Sequence, residues 1–162
     1  MSFDSLEFRR ALGQFATGVT VVTTRDAVGR PQGLTLNSFC SVSLEPPLVL
    51  ICIDQRSEVN AALAASRAFS VSVLTEEQED LSRRFASGGP LKFQGLELPV
   101  GESGLPLVPG ALAHLECRLA ASHPAGDHTL YIGEVERLSA RPGRPLLYHG
   151  SAYRRLETGE GR

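Results

Sequence analysis

The segment Gly33-Leu34-Thr35-Leu36-Asn37-Ser38-Phe39-Cys40-Ser41-Val42-Ser43 is strand-like, yet it carries hydroxyl or amide groups at Thr35, Asn37, Ser38, Ser41 and Ser43. A core strand has no need of so many, because each must find a hydrogen-bond partner once buried. A polar, planar ligand lying along the strand would supply those partners; a half-exposed antiparallel strand would leave them to water. Arg56-Ser57 forms a second cluster, at the start of a short helical pattern. Free N–H groups and the helix dipole favour an anion there, and the two side chains add a charge and a hydroxyl. The plainer alternative makes Ser57 a helix cap and Arg56 a surface residue. In Ser82-Arg83-Arg84-Phe85-Ala86, followed by Lys92-Phe93, cations and aromatics gather at a helix end. Either one of the two arginines or Lys92 reaches a phosphate, or the cations complement the dipole while Phe85 enters the core. The corner Gly126-Asp127-His128 leads into a strand and holds an imidazole beside a carboxylate; it is either a ligand contact or an Asx-type turn with a surface histidine.

Other chemistries lack their residues. His114, His123, His128, Asp127 and Cys117 show no paired ligand spacing, so no metal is expected. No Gly-x-Ser-x-Gly places a serine nucleophile. No Gly-x-Gly-x-x-Gly opens a helix after a strand, so a nicotinamide dinucleotide would bind without a Rossmann turn.

The elements that must position these clusters are short. Phe8, Ala11, Leu12 and Phe15 repeat at helical spacing over Ser5–Ala16, with Asp4 or Ser5 as cap and Gly18 as terminator. Strands are expected over 19–24, along the hydroxyl-rich segment, over 48–54 after the Glu45-Pro46-Pro47 corner, and over 68–74. Turn chemistry fills 26–33, and helices are expected over 57–65 and 76–86. Residues 88–109 read as one long irregular connection, a length that tends to serve a site. A hairpin over 111–122 and 129–140 and a last strand over 146–149 follow, with 157–162 as a polar, frayed tail. Six or seven short strands with three helices predict a mainly β, α+β fold, an antiparallel barrel with a few capping helices in one domain over 1–156.

The formal charge of −2, without long Lys/Arg runs, excludes a nucleic-acid or anionic-membrane footprint. No apolar run approaches the ~20 residues of a spanning helix, and the acidic N-terminal segment is unlike a signal peptide. Three widely spaced cysteines, Cys40, Cys52 and Cys117, fit a reducing cytoplasm better than a disulfide framework.

Six landmarks stand in order along the chain: Phe15-Ala16-Thr17-Gly18-Val19-Thr20-Val21-Val22, the Thr35-x-Asn37-Ser38-x-x-Ser41-Val42-Ser43 strand, Glu45-Pro46-Pro47-Leu48-Val49, Arg83-Arg84-Phe85-Ala86, Gly126-Asp127-His128, and Tyr148 with Tyr153. Together they resemble the flavin reductase-like family, FMN-binding split β-barrels that act as reductase components of two-component flavin monooxygenases. Each landmark alone is weak; their order over Phe8–Leu156 is specific. Leu36 and Phe39 depart from the pattern, being bulkier than the residues often found in that strand.

The resemblance implies an NAD(P)H:flavin oxidoreductase that passes a hydride from NADH or NADPH to FMN, with FAD as a possible substitute. It further implies a homodimer with one flavin per subunit near the interface, and a flavin-dependent monooxygenase as a possible recipient. Carried over by position, the flavin would meet Thr35, Asn37, Ser38, Ser41 and Val42, then Cys52 and Ile53 on the next strand. Arg56 and Ser57 would hold its phosphate, with Arg84, Phe85 and Lys92 as further contacts. His128 would lie on the nicotinamide side as the catalytic residue. Rival readings on the same fold are a flavin- or haem-binding dimer without turnover and a pyridoxamine-phosphate-oxidase-like enzyme.

Overall fold

A computed structural model describes residues 3–157. In chain order the elements are α1 (Ser5–Leu12), β1 (Thr17–Gly18), β2 (Thr20–Arg25), β3 (Pro31–Leu36), β4 (Phe39–Leu44), β5 (Pro47–Asp54), α2 (Val59–Ser66), β6 (Ala68–Val73), α3 (Glu79–Ala86), β7 (Ala113–Ala125), β8 (His128–Ala140), β9 (Leu147–His149) and β10 (Ala152–Arg154). Seven strands form one antiparallel sheet in the order β3-β2-β6-β7-β8-β5-β4, and β1, β9 and β10 form a second. The mainly β architecture with few helices is the expected one. The tail expected at 157–162 lies, beyond Glu157, outside the described residues.

The hydroxyl-rich segment is not a single strand. It breaks at Asn37–Ser38 into β3 and β4, which occupy opposite edges of the seven-stranded sheet. At about 4.8 Å per strand a flat sheet would hold its edges roughly 29 Å apart. Yet three residue steps from Leu36 to Phe39 reach at most about 11 Å. The sheet therefore curls until its two edges meet at this corner, and the hydroxyl-rich segment closes it. Ser38 makes the second docking: its Oγ donates to Cys52 O at 2.8 Å, and its carbonyl accepts from Cys52 N–H at 3.2 Å.

Several boundaries also differ from those the sequence suggests. α1 stops at Leu12, capped by Gly13, and Gly18 pairs instead with Leu147 in the small sheet. Asp4 caps its other end, accepting from Leu6 and Glu7 N–H while Glu7 accepts from Asp4 N–H. α2 begins at Val59, not Ser57, because Ser57 N–H is held by Asp54 O in a turn before the helix. A short 3-10 turn over Glu76–Gln78 precedes α3, and another over Pro90–Phe93 interrupts the long connection.

Inside the curl lies a core of Val22, Val49, Ile51, Ile53, Leu63, Phe69, Val71 and Tyr131. Leu36 joins it and Phe39 packs against it, so their bulk goes inward. Gly133 is required here: a Cβ would stand 2.4 Å from Phe69 Cζ. A second cluster, with Val19, Val21, Leu74, Phe85 and Leu146, lies under α3.

The long connection is fastened by buried hydroxyls of β2 and β6. Ser70 Oγ donates to Pro106 O at 2.9 Å, Thr23 Oγ1 donates to the same carbonyl, and Val108 N–H donates to Ser72 Oγ at 3.2 Å. Earlier in the connection, Ser103 donates its N–H to the buried Glu116 carboxylate at 2.7 Å.

Candidate functional site

Three segments converge outside the β3 edge. β3 contributes Leu34 and Thr35; the turn after β5 contributes Arg56, Ser57 and Glu58; the end of α3 and its loop contribute Phe85 through Gly89, and Lys92. They enclose a cavity of about 340 Å³. Its position follows from local bonds. Thr35 Oγ1 donates to Ser82 O at 2.6 Å and ties β3 to α3. Lys92 Nζ donates to Gly33 O at 2.8 Å and draws the loop over the strand.

Five residues singled out from the sequence thus line one cavity: Thr35, Arg56, Ser57, Phe85 and Lys92. Their availability differs. Lys92 spends one of its three N–H donors on Gly33, and burial lowers its pKa below the ordinary lysine value. Arg56 is committed to Asp54 through two bonds, at 2.6 and 3.0 Å, with its side chain 89% exposed. That guanidinium holds the Asp54 carboxyl well below the usual carboxylate range. Phe85 is 1% exposed. Gly88 and Gly89 line the wall, and among the described residues their N–H groups have no acceptor within the protein. An ammonium, a hydroxyl and open backbone amides together make a donor set for a phosphate.

Arg84 does not line the cavity. Its guanidinium donates to the carbonyls of Lys92, at 2.7 Å, and Gln94, and so fixes the loop that carries Lys92. A smaller pocket of about 230 Å³ adjoins, sharing Thr35 and Ala86 and adding Leu36, Asn37, Tyr148 and Tyr153. Asn37 is exposed there, its Nδ2 donating to Thr17 Oγ1 at 3.1 Å. Ser38 and Cys52 sit together at the corner, and burial pushes the Cys52 thiol upward. Ser41 and Val42 are exposed on β4, outside both pockets. Ile53 is 1% exposed and its side chain packs in the core.

His128 opens β8 opposite Asp54, in register with the residue that grips Arg56. Its Nδ1 donates to Asp127 Oδ1 at 2.7 Å, and this bond lowers the Asp127 pKa. With Nδ1 as donor, Nε2 of the neutral ring is an acceptor. Sequence reasoning missed Gln32, Glu58 and Ser87 in the cavity wall.

The chain matches the family model described as flavin reductase like domain over residues 12–157. It is 47% identical over 153 residues to an FMN reductase (NADH) of Agrobacterium fabrum, covering 94% of this chain and 87% of that protein. It is 46% identical over 158 residues to the reductase subunit of a flavin-dependent monooxygenase from Mycobacterium tuberculosis, covering 95% and 83%. Among solved structures, the Streptomyces globisporus NADH:FAD oxidoreductase in complex with NAD and FAD fragments superposes with a TM-score of 0.91 at 42% identity, covering 98% of this chain and 96% of that one.

Proposed function

The chain belongs to the flavin reductase-like family, and from that premise we propose how its own residues carry out the reaction. It is an NAD(P)H-dependent flavin reductase. The observation that carries the site assignment is the cavity under the β3 edge, which gathers Thr35, Ser57, Lys92 and the Gly88-Gly89 amides around a phosphate-sized donor set. Lys92 binds the flavin phosphate, Ser57 and the glycine amides complete its shell, and Arg56 adds screened charge from the rim. Thr35, Asn37 and Ser38 orient the ribityl chain and ring edge toward the β3–β4 corner. Bound there, the flavin supplies the redox chemistry, accepting a hydride from nicotinamide. The protein moves no proton through a strongly perturbed acid or base; it aligns two rings at reacting distance. His128, fixed by Asp127, accepts an N–H of the nicotinamide carboxamide at Nε2. Ser41 and Val42, exposed on β4 outside the two pockets, are the outermost of the proposed ring contacts.

We further propose one domain over 1–156 that works as a homodimer. Along β5 the side chains alternate: Val49, Ile51 and Ile53 enter the core, while Leu48, Leu50 and Cys52 face outward and remain half-buried. Register sets Leu50 beside Ile132 and Cys52 beside Leu130, which makes an apolar outer sheet face. An antiparallel sheet facing water should be polar on that side, so a second copy covers it. α1 buries none of its residues and leaves Phe8 and Leu12 uncovered. Three free thiols support the cytoplasm as the compartment, and among the described residues no helix is long and apolar enough to cross a membrane. The reduced flavin passes to a monooxygenase partner.

NADH and NADPH oxidation by the purified protein, with and without FMN, tests the reading, together with sedimentation at several protein concentrations. Flavin-dependent nicotinamide oxidation by a dimer is expected; a protein inert with every pair, or a flavin-loaded monomer, overturns it.

A further inference from the structure

One carboxylate stands where an anion is to be bound. Glu58 lines the phosphate cavity together with Lys92 and Arg56, and it also lines two adjoining cavities of about 390 and 320 Å³. Other acids of this region are paired: Asp26 with Arg30 at 2.8 Å, Asp54 with Arg56 at 2.6 Å and Glu79 with Arg83 at 2.6 Å. Glu58 is exposed, gives α2 no side-chain cap, and among the described residues forms no ion pair. Lys92 lies near enough to feel its charge, yet donates to Gly33 O instead. With Arg56 held by Asp54, the free charges facing a phosphate are one ammonium and one carboxylate, and they nearly cancel.

We infer that Glu58 limits the affinity for the flavin: its carboxylate opposes the phosphate and keeps the flavin exchangeable with solution. This rests on the flavin-site reading above and adds to it the residue that sets how firmly the flavin is held. A phosphate monoester carries nearly two negative charges at neutral pH, so a carboxylate in the same wall repels it. Solvent reaches Glu58, so the repulsion is screened and modest. Lys92, Ser57 and the Gly88-Gly89 amides still bind, against that repulsion. A reductase that hands its reduced flavin to another protein is served by it, because holding substrate and product more tightly slows release without helping the hydride step. A rival role for Glu58 has the opposite sign. A carboxylate beside Lys92 favours its ammonium form against burial, and on that account its loss would weaken phosphate binding.

The sign of one substitution separates the two. FMN and riboflavin dissociation constants are measured by fluorescence titration for the full chain, Glu58→Gln and Lys92→Ala, at low and high salt. Glu58→Gln keeps the shape of the side chain and removes its charge. Its FMN dissociation constant should fall about fivefold, the size of a screened charge contact. Riboflavin affinity should not change, and the gain for FMN should shrink as salt rises. The variant should also carry more FMN through gel filtration than wild type. Weaker FMN binding in Glu58→Gln overturns the inference and makes the carboxylate a support for Lys92. An equal gain with riboflavin overturns it too, since riboflavin has no phosphate to repel. So does an unchanged FMN constant beside a Lys92→Ala variant that binds FMN poorly; the phosphate site then stands without Glu58. If Lys92→Ala binds FMN as wild type does, the phosphate site itself is wrong and the inference falls with it.

Discussion

Two regions of the curled sheet are equally rich in hydroxyls and put them to different uses. On β2 and β6, Thr20, Thr23, Thr24, Ser70 and Ser72 are buried, and each bonds within the protein. Their partners are backbone groups of neighbouring segments and of the long connection, so they act as rivets. On the β3–β4 segment, Thr35 and Ser38 are half-buried, while Asn37 and Ser41 are exposed. Thr35, Asn37 and Ser38 make single protein bonds and retain capacity beside two pockets. A hydroxyl in a strand therefore implies a ligand only where the protein has not already supplied the partner. The density of such groups in sequence does not tell rivet from ligand contact; exposure and residual bonding capacity do.

The sharpest way to break this distinction is to remove the rivets. Thr23→Val with Ser70→Ala strips both donors from Pro106 O and leaves a buried carbonyl unpaired. The expected loss is about 2–3 kcal/mol of stability, seen as a melting temperature lower by roughly 5–10 °C. Flavin affinity of the folded protein should not change. A variant that keeps its melting temperature but loses flavin would place β2 and β6 in the site and erase the contrast.

Next in size is Lys92→Ala, on the ligand side of the comparison. A charge-assisted phosphate contact contributes about 1.5–3 kcal/mol, so FMN affinity should fall tenfold to a hundredfold while riboflavin affinity holds. The same residue predicts a pH dependence. Its ammonium form binds the phosphate, and burial lowers its pKa from 10.5. FMN affinity is thus full at neutral pH and declines as pH rises through that lowered pKa, earlier than an ordinary lysine would allow. Fluorescence titration across alkaline pH with FMN and riboflavin checks the sign: parallel curves for both ligands would remove Lys92 from the phosphate.

Much of this arrangement was legible in the chain, for physical reasons that differ by residue. The cap at Asp4 or Ser5, the β-branched run of β2 and the long β7–β8 hairpin are local signals, and the structure contains each element, with Asp4 as the cap. The break at Asn37–Ser38 is not local: nothing in those two residues reveals that the flanking strands lie on opposite edges of a sheet. Lys92 and Ser57 were legible as charged and polar groups near helix ends, but that they share a cavity follows only from α3 crossing β3. Glu58 and Gln32 gave no sign at all, since an exposed glutamate and a strand glutamine are ordinary surface residues. Arg84 was legible as a cation at a helix end, but that its donors go to the carbonyls of Lys92 and Gln94 follows only from the fold of the loop.

Asn37→Ala and Ser38→Ala compare two members of the ligand-facing segment directly. Each should weaken flavin binding about tenfold if it contributes one hydrogen bond of roughly 1–1.5 kcal/mol. Only Ser38→Ala should also lower stability, by about 1 kcal/mol, because its hydroxyl fastens β4 to Cys52 O. The alanine at Asn37 loses a bond to Thr17 at an exposed site, where water replaces it. Identical melting temperatures for the two variants would mean that the corner is not held by Ser38.

The smallest effect belongs to His128. Its imidazole is 44% exposed and is braced by a carboxylate that is itself in solvent, so a carboxamide bond there is screened and worth little. His128→Ala should raise the NADH KM about fivefold and leave flavin affinity unchanged, the size of one modest hydrogen bond. If the ring aligns the nicotinamide as well as binding it, the rate of flavin reduction falls too. Asp127→Asn still offers an oxygen to accept from Nδ1, which keeps Nε2 as the acceptor, and should leave the constants close to wild type. Stopped-flow reduction by NADH reads the rate and the nicotinamide affinity of both variants. Wild-type constants in His128→Ala throughout would make the Gly-Asp-His corner a turn and nothing more.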